Sequence, residues 1–142
     1  MEFAFDDIET KTLSDAGVDM PVKRLDGSPL RAANGGHVSL RMLGPDSAAY
    51  RRALRKQVRR RVLRQDAGSV SDADFDEMEE DTLDMLAACT AGWKNVLDKS
   101  GAEIPFSQDN ARILYTIYPV IREQVDAFVA SRANFLRGSA NA

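Results

Sequence analysis

The sequence predicts an α+β fold dominated by helix, with a small N-terminal β-hairpin region followed by about four helices. Three observations carry this. Residues 37–43 alternate polar and apolar side chains with period two. From residue 47 onward, apolar side chains recur every three to four positions. Ser107 and Pro119 each stand where a helix can start. The expected organisation is a hairpin region over 1–45, a helical domain over 46–137 and a flexible tail over 138–142.

In the run His37-Val38-Ser39-Leu40-Arg41-Met42-Leu43, positions 38, 40 and 42 fall on one face of a strand. A partner strand is expected through Met20-Pro21-Val22-Lys23-Arg24-Leu25. Asp26-Gly27 would start the connecting loop of about ten residues, and Asn34-Gly35-Gly36 would close it. Pro21 has no amide to donate, so this strand belongs at a sheet edge. Two strands alone are marginal in water and must pack on something.

Asp46 is the expected N-cap of a helix over 47–65 that contains no Gly or Pro. Tyr50, Leu54, Val58 and Val62 form its apolar stripe, with Ala53 beside it, and Arg51, Arg52, Arg55, Lys56, Arg59, Arg60 and Arg64 fill the rest. Residues 67–71 break the pattern. A second helix of about 25 residues is expected to begin near Asp72 to Asp74, whose carboxylates suit the positive end of the helix dipole. Its stripe is Phe75, Met78, Thr82, Leu86, Cys89 and Trp93, continued by Val96 or Leu97, and Lys99-Ser100-Gly101 ends it. Ser107 then caps a short helix to about Tyr115, with Ala111 and Leu114 inward. Pro119 opens the last helix, which runs to about Arg137 with Ile121, Val125, Phe128 or Val129, and Phe135 on its inner face. The final five residues read as a frayed tail.

A chain of 142 residues and 15.7 kDa is of one-domain size. Its apolar and charged fractions, 44% and 29%, are those of a folded globular protein rather than a disordered one. The longest apolar run is the five residues Met85 to Cys89, too short to span a membrane, and four acids among the first ten residues are wrong for a signal peptide. A single cysteine, Cys89, has no partner for an internal disulfide, and the chain offers no four-ligand Cys/His set for zinc. No metal or cofactor is expected. His37 lacks a visible nucleophile and orienting carboxylate, and Cys89 on an apolar stripe reads as a small hydrophobe. Gly35-Gly36 precedes a strand rather than opening a helix, so it is no phosphate-binding loop. The acids of 72–84 lack the alternation and central glycine of an EF-hand loop. An enzyme is therefore not expected.

The net charge of −3 conceals a strong polarisation. Net charge is −2 over 1–45, +7 over 46–65, −9 over 66–86 and +1 over 87–142. The basic helix could track nucleic-acid phosphates, but the acids follow within about twenty residues. In an antiparallel hairpin the two blocks would largely neutralise each other, through pairs individually worth roughly 0–1 kcal/mol. Internal pairing and docking of a protein partner are favoured over nucleic acid, with Arg51, Arg52, Arg55, Arg59, Asp76, Glu79 and Glu80 as the charged docking candidates. Most of the large rings of the last third should form core. Trp93, Phe106, Tyr118 and Phe128 are the candidates to line a groove for an amphipathic partner helix.

Several residues recur in a recognisable order. They are Gly92-Trp93-Lys94-Asn95-Val96-Leu97, Gly101, Ile104-Pro105-Phe106-Ser107, Asn110-Ala111, Tyr115, Pro119 through Val125, and Phe128 with Arg132-Ala133-Asn134-Phe135-Leu136. Gly17-Val18-Asp19-Met20-Pro21, Asp26-Gly27 and Leu43-Gly44-Pro45-Asp46-Ser47 with Tyr50 agree with them. Together they resemble the tail assembly chaperones of long-tailed bacteriophages and prophages. The resemblance implies a small protein of the bacterial host's cytoplasm, not an enzyme, that coats the tape measure protein, keeps it soluble and recruits tail tube subunits. Covering a long helical partner takes many copies, and the opposite charge blocks suggest self-association into oligomers. Two other readings are a virion-resident head-tail joining or tail-terminating protein, and a small nucleic-acid-binding regulator using helix 47–65.

Overall fold

The structure, a computed structural model, describes residues 1–64 and 72–137. It is α+β and mainly helical. Among these residues the elements in chain order are α1 (Lys11–Ala16), β1 (Val18–Pro21), β2 (Ser39–Met42), α2 (Ala48–Arg64), α3 (Asp72–Ala88), β3 (Thr90–Lys94), α4 (Gln108–Ile117) and α5 (Pro119–Ala130). Short 3-10 turns lie at Asp6–Ile8 and Arg132–Phe135. The expected break over 67–71, the end of the basic helix at Gln65 and the tail over 138–142 lie outside the described residues.

β1, β2 and β3 form an antiparallel sheet in that order, so Pro21 lies on an edge strand, where its missing amide costs no ladder bond. Alternation sets the burial. Val18, Met20, Leu40 and Met42 turn into the core, while Asp19, Arg41 and Lys94 meet on the other face, Asp19 lying 3.1 Å from Arg41 and 3.5 Å from Lys94. The partner strand sits slightly earlier than expected, and the loop after it is ordered. Val22 donates to Val38, Leu30 to Val22 and Val38 to Leu30, so a small arm folds back beside the sheet. Its two turns are closed by Asp26, which accepts from Ser28, and by Asn34, which accepts from Gly36.

The largest departure from the sequence reading concerns the second long helix. It ends at Ala88 rather than near residue 97, and Trp93 stands on a strand, paired with Leu40. Thr90 is β-branched and Gly92 costs a helix about 1 kcal/mol relative to Ala, whereas β2 offers an open edge for five residues. A bulge between Arg41 and Met42 absorbs the change in register. The switch from helix to strand is fixed by Thr90, which is buried. Its hydroxyl donates to the Leu86 carbonyl at 2.7 Å and so must accept from the Tyr115 hydroxyl, also at 2.7 Å. Tyr115 is itself 1% exposed, on α4.

Two helix ends also differ in detail. Ser47, not Asp46, caps α2, its Oγ accepting from Tyr50 N at 3.1 Å. Asp46 instead ties the chain's two ends together, accepting from Thr10 at 2.6 Å and from both prongs of Arg132 at 3.0 Å. Arg132 and then Thr10 hold its carboxyl below the usual carboxylate range. Ser107 caps α4 as expected, accepting from Asn110 N. α5 stops at Ala130 because the Asn134 side chain donates to the Phe128 carbonyl and the chain turns back. The turn lays Phe135 over Phe128, with ring centroids 5.7 Å apart. It also packs Phe135 on Gly44, where an added Cβ would come within 2.8 Å of the ring and 2.3 Å of Ser14 Oγ.

The core lies between the sheet and α3, α4 and α5, with Leu86, Cys89, Ala111, Tyr115, Val125 and Val129 at its centre. α2 reaches the core with Tyr50 and otherwise lies along α3, facing that helix with the buried Gln57, which donates to the Asp81 carbonyl at 2.7 Å, and with Arg60, 2.7 Å from Asp81 Oδ1. The polar pairing turns the helix, so the stripe of Leu54, Val58 and Val62 is 41%, 50% and 60% exposed. Phe75 and Met78 of α3 are exposed as well.

Two outcomes follow from the buried hydroxyl pair. Tyr115→Phe leaves the Thr90 oxygen without its donor and is expected to cost about 1–3 kcal/mol in urea denaturation, with Thr90→Val costing at least as much because it removes a partner from two groups, leaving the Tyr115 hydroxyl only the Met42 sulfur at 3.9 Å. Burial also pushes the Tyr115 phenol and the Cys89 thiol up to about 12, from ordinary values of 10.0 and 9.0. The unfolded chain therefore loses these protons first as pH rises. Stability should fall progressively from about pH 9 upward, and denaturant midpoints measured from about pH 8 to 11 check it.

Candidate partner-binding groove

The arm after β1 and the α4–α5 corner face each other across an open apolar groove of about 620 Å³. Val22, Leu25, Leu30 and Val38 form one wall, Val96 and Leu97 the base beyond β3, and Leu114, Ile117, Tyr118, Val120 and Ile121 the other wall. Leu25 is 88% exposed, and Ile117, Tyr118 and Val120 are exposed too. Lys23, Arg24, Arg31 and Asp98 supply a charged rim.

Local chemistry builds both walls. Tyr118 ends α4, its amide donating to Leu114, and Pro119 opens α5 at the first helical position, so the corner turns in a single residue and pushes three apolar side chains outward. The opposite wall is held by Gln124 of α5, whose amide accepts from Lys23 N at 2.9 Å and donates to Lys23 O at 2.8 Å. This two-way bond couples the arm to the helix across 101 residues of sequence. The base is fixed by Trp93, whose Nε1 donates to the Ile104 carbonyl, and by Asp98, which closes the following turn by accepting from Ser100 and Ala102. Those bonds, that to the Ser100 hydroxyl first, hold its carboxyl below the usual range.

Of the four aromatic candidates, Tyr118 lines this groove. Trp93 and Phe106 are half-buried against each other, edge to face at 5.2 Å, and Phe128 is half-buried against Phe135. The structure does not bring the four together on one surface. Leu25, Ile117 and Val120 line the groove and Gln124 braces its wall, roles that the sequence does not announce. The available signal was Ile113 and Ile117, four apart on α4 and off the Ala111–Leu114–Tyr115 stripe, beside an apolar Val120.

The charged candidates separate along the α2–α3 hairpin. Arg60 and Arg61 meet Asp81, and Arg60 also meets Asp84. Arg112 of α4 bridges Glu80 and Asp84, and Arg122 of α5 reaches Glu79. Arg51, Arg52, Arg55 and Arg59 are exposed, and so is Asp76. Arg52, Lys56 and Arg59 line a second, polar cleft of about 810 Å³ with Asp84, Asp109 and Arg112. His37 is exposed beside β2, and Cys89 is wholly buried, its raised pKa making it a poor nucleophile.

Residues 45–141 match the family model of the YdaY prophage protein. The chain belongs to that family. The match begins at Pro45 and takes in every helix from α2 onward, β3 and the α4–α5 wall of the groove, while α1, β1, β2 and the arm lie before it. No curated protein and no solved structure matches the chain. The family makes this a prophage protein, which is the broader part of what the resemblance to phage proteins implied. No helix of the described residues is long and apolar enough to cross a membrane.

The Gln124 bond can be tested alone. Gln124→Ala should cost about 1 kcal/mol of stability and accelerate amide hydrogen exchange at Lys23 and Leu30, leaving the amides of α3 protected.

Proposed function

We propose that this prophage protein is a tail assembly chaperone, not an enzyme. In this reading it works in the host cytoplasm, holds amphipathic helical segments of the tape measure protein, and helps recruit tail tube subunits. The observation that carries the reading is the groove, an apolar trough of about 620 Å³ with a charged rim. An amphipathic helix can lay its i, i+3 and i+4 side chains there.

Magnitudes suit a holder that later leaves. A helix burying roughly 400 Å² of apolar area would gain about 10 kcal/mol at 25 cal/mol per Å². Association costs about 4–15 kcal/mol, so a single groove holds weakly and a long partner is covered by many weak contacts. The basic and acidic surfaces add orientation and speed of encounter more than affinity. Prophage family membership supports a role in virion production, and the resemblance in the 92–136 stretch supports the tail in particular.

Co-expression with a fragment of the tape measure protein of the same prophage tests the reading. The full chain is expected to keep the fragment in the supernatant, and Ile117→Asp or Tyr118→Ala to return it to the pellet while the variant itself stays folded. Mass spectrometry of purified particles should find the chain absent. Its presence at stoichiometric level would favour a joining or terminating component instead, and salt-resistant DNA binding lost on changing Arg52 and Arg59 would favour a nucleic-acid regulator.

A further inference from the structure

The α2–α3 hairpin carries a second apolar surface that the groove does not use. Gln57 and Arg60 against Asp81 define the line along which the two helices touch. At 100° per residue, Leu54, Val58 and Val62 lie on one flank of that line. Antiparallel helices mirror one another about their contact, so Met78 and Phe75 of α3 fall on the same flank. The opposite flank is the polar cleft, lined by Arg52, Ala53, Lys56 and Arg60 with Asp84. The five apolar side chains are between 41% and 61% exposed.

We infer that a second copy of this chain covers this flank, two hairpins packing face to face as a four-helix bundle. Charge selects the arrangement. A two-fold axis parallel to the helices lays each α2 over the partner's α3, antiparallel to it, and sets the +7 block against the −9 block. An axis across the helices would set basic over basic and acidic over acidic. In the first arrangement Arg51 on the apolar flank, with Arg55 and Arg59 on the outer edge of α2 that also borders the polar cleft, runs beside the other copy's α3, which carries Asp76 and Glu79, the latter also reached by Arg122 of its own chain. The size fits as well. Each helix of 17 residues is about 25 Å long and 10 Å wide. The pair therefore presents a ridged face of roughly 500 Å² in projection, comparable in accessible area with the ~800 Å² per partner of a stable interface. The contact is isologous, so it closes at two copies.

Sedimentation equilibrium of the full chain reads the state directly. A dimer at tens of micromolar is expected, with Val58→Asp weakening it roughly thirtyfold or more, as for a central interface residue. Val58 is half exposed in one copy, so circular dichroism of that variant should be unchanged. Mixing a Val62→Cys chain with a Met78→Cys chain under mild oxidation is expected to give the mixed disulfide dimer, native Cys89 being buried. A monomer up to about 100 µM would overturn the inference and leave the face to a different protein. A dimer indifferent to Val58→Asp, or a Val58→Cys chain that links to itself in preference to the mixed pair, would overturn it equally.

Discussion

The fold depends on one buried junction, the point at which α3 gives way to β3. A helix that continued past Ala88 would carry Thr90 and Trp93 out of the sheet and leave β2 with a single partner. Thr90 prevents this by satisfying two demands with one hydroxyl, closing the Leu86 carbonyl at the helix end and receiving the Tyr115 proton from α4. Both groups are almost completely buried, where an unmet hydrogen bond costs far more than a met one gains. Helix end, strand start and the position of α4 are thus set together. The Leu43 amide, donating to the Cys89 carbonyl at 2.7 Å, ties the same point to the end of β2.

From that junction the position of the groove follows. With α4 fixed by Tyr115, the single-residue corner at Tyr118 and Pro119 must project from the core, and Ile117 and Val120 have no interior to enter. The arm after β1 then has an apolar surface to approach, and Gln124 binds its backbone without covering that surface. The far side is closed differently. Asp46 gathers Thr10 and Arg132, joining the two ends of the chain beside Gly44, whose missing side chain lets Phe135 seat. The closed side of the molecule is therefore where N- and C-terminal segments meet, and the open side is where the arm meets the α4–α5 corner.

Local signals in the sequence identified what local chemistry decides. The alternation at 38, 40 and 42, the edge position of Pro21, the Ser107 cap and the Pro119 start depend on a few neighbouring residues, and each appears in the structure. Long-range partners decided the rest. Periodicity alone carries Cys89 and Trp93 smoothly along a helical stripe, and only the unpaired edge of β2, some fifty residues earlier, makes a strand there. Asp46 had the right chemistry for an N-cap, but Arg132 and Thr10 lie 86 and 36 residues away, and a closer competitor, Ser47, was free to cap instead. At the groove, Tyr118 was legible as a ring near a helix start. Gln124 was not, since nothing in a lone glutamine announces a backbone 101 residues away.

The charge blocks illustrate the same division in energetic terms. Their polarity is plain in the sequence, but its structural effect is rotational rather than adhesive. Exposed pairs contribute little individually, yet Gln57 and Arg60 on Asp81 turn α2 so that its polar side meets α3 and its valines and leucines meet solvent. An amphipathic helix left to apolar burial alone would have turned the other way, at roughly 1.5–3 kcal/mol for each large side chain fully buried. That burial is forgone within one chain, and a partner surface would recover it. The acidic and basic blocks therefore matter most through what they leave uncovered: the hairpin holds itself together by polar contacts on one line and offers its apolar flank outward.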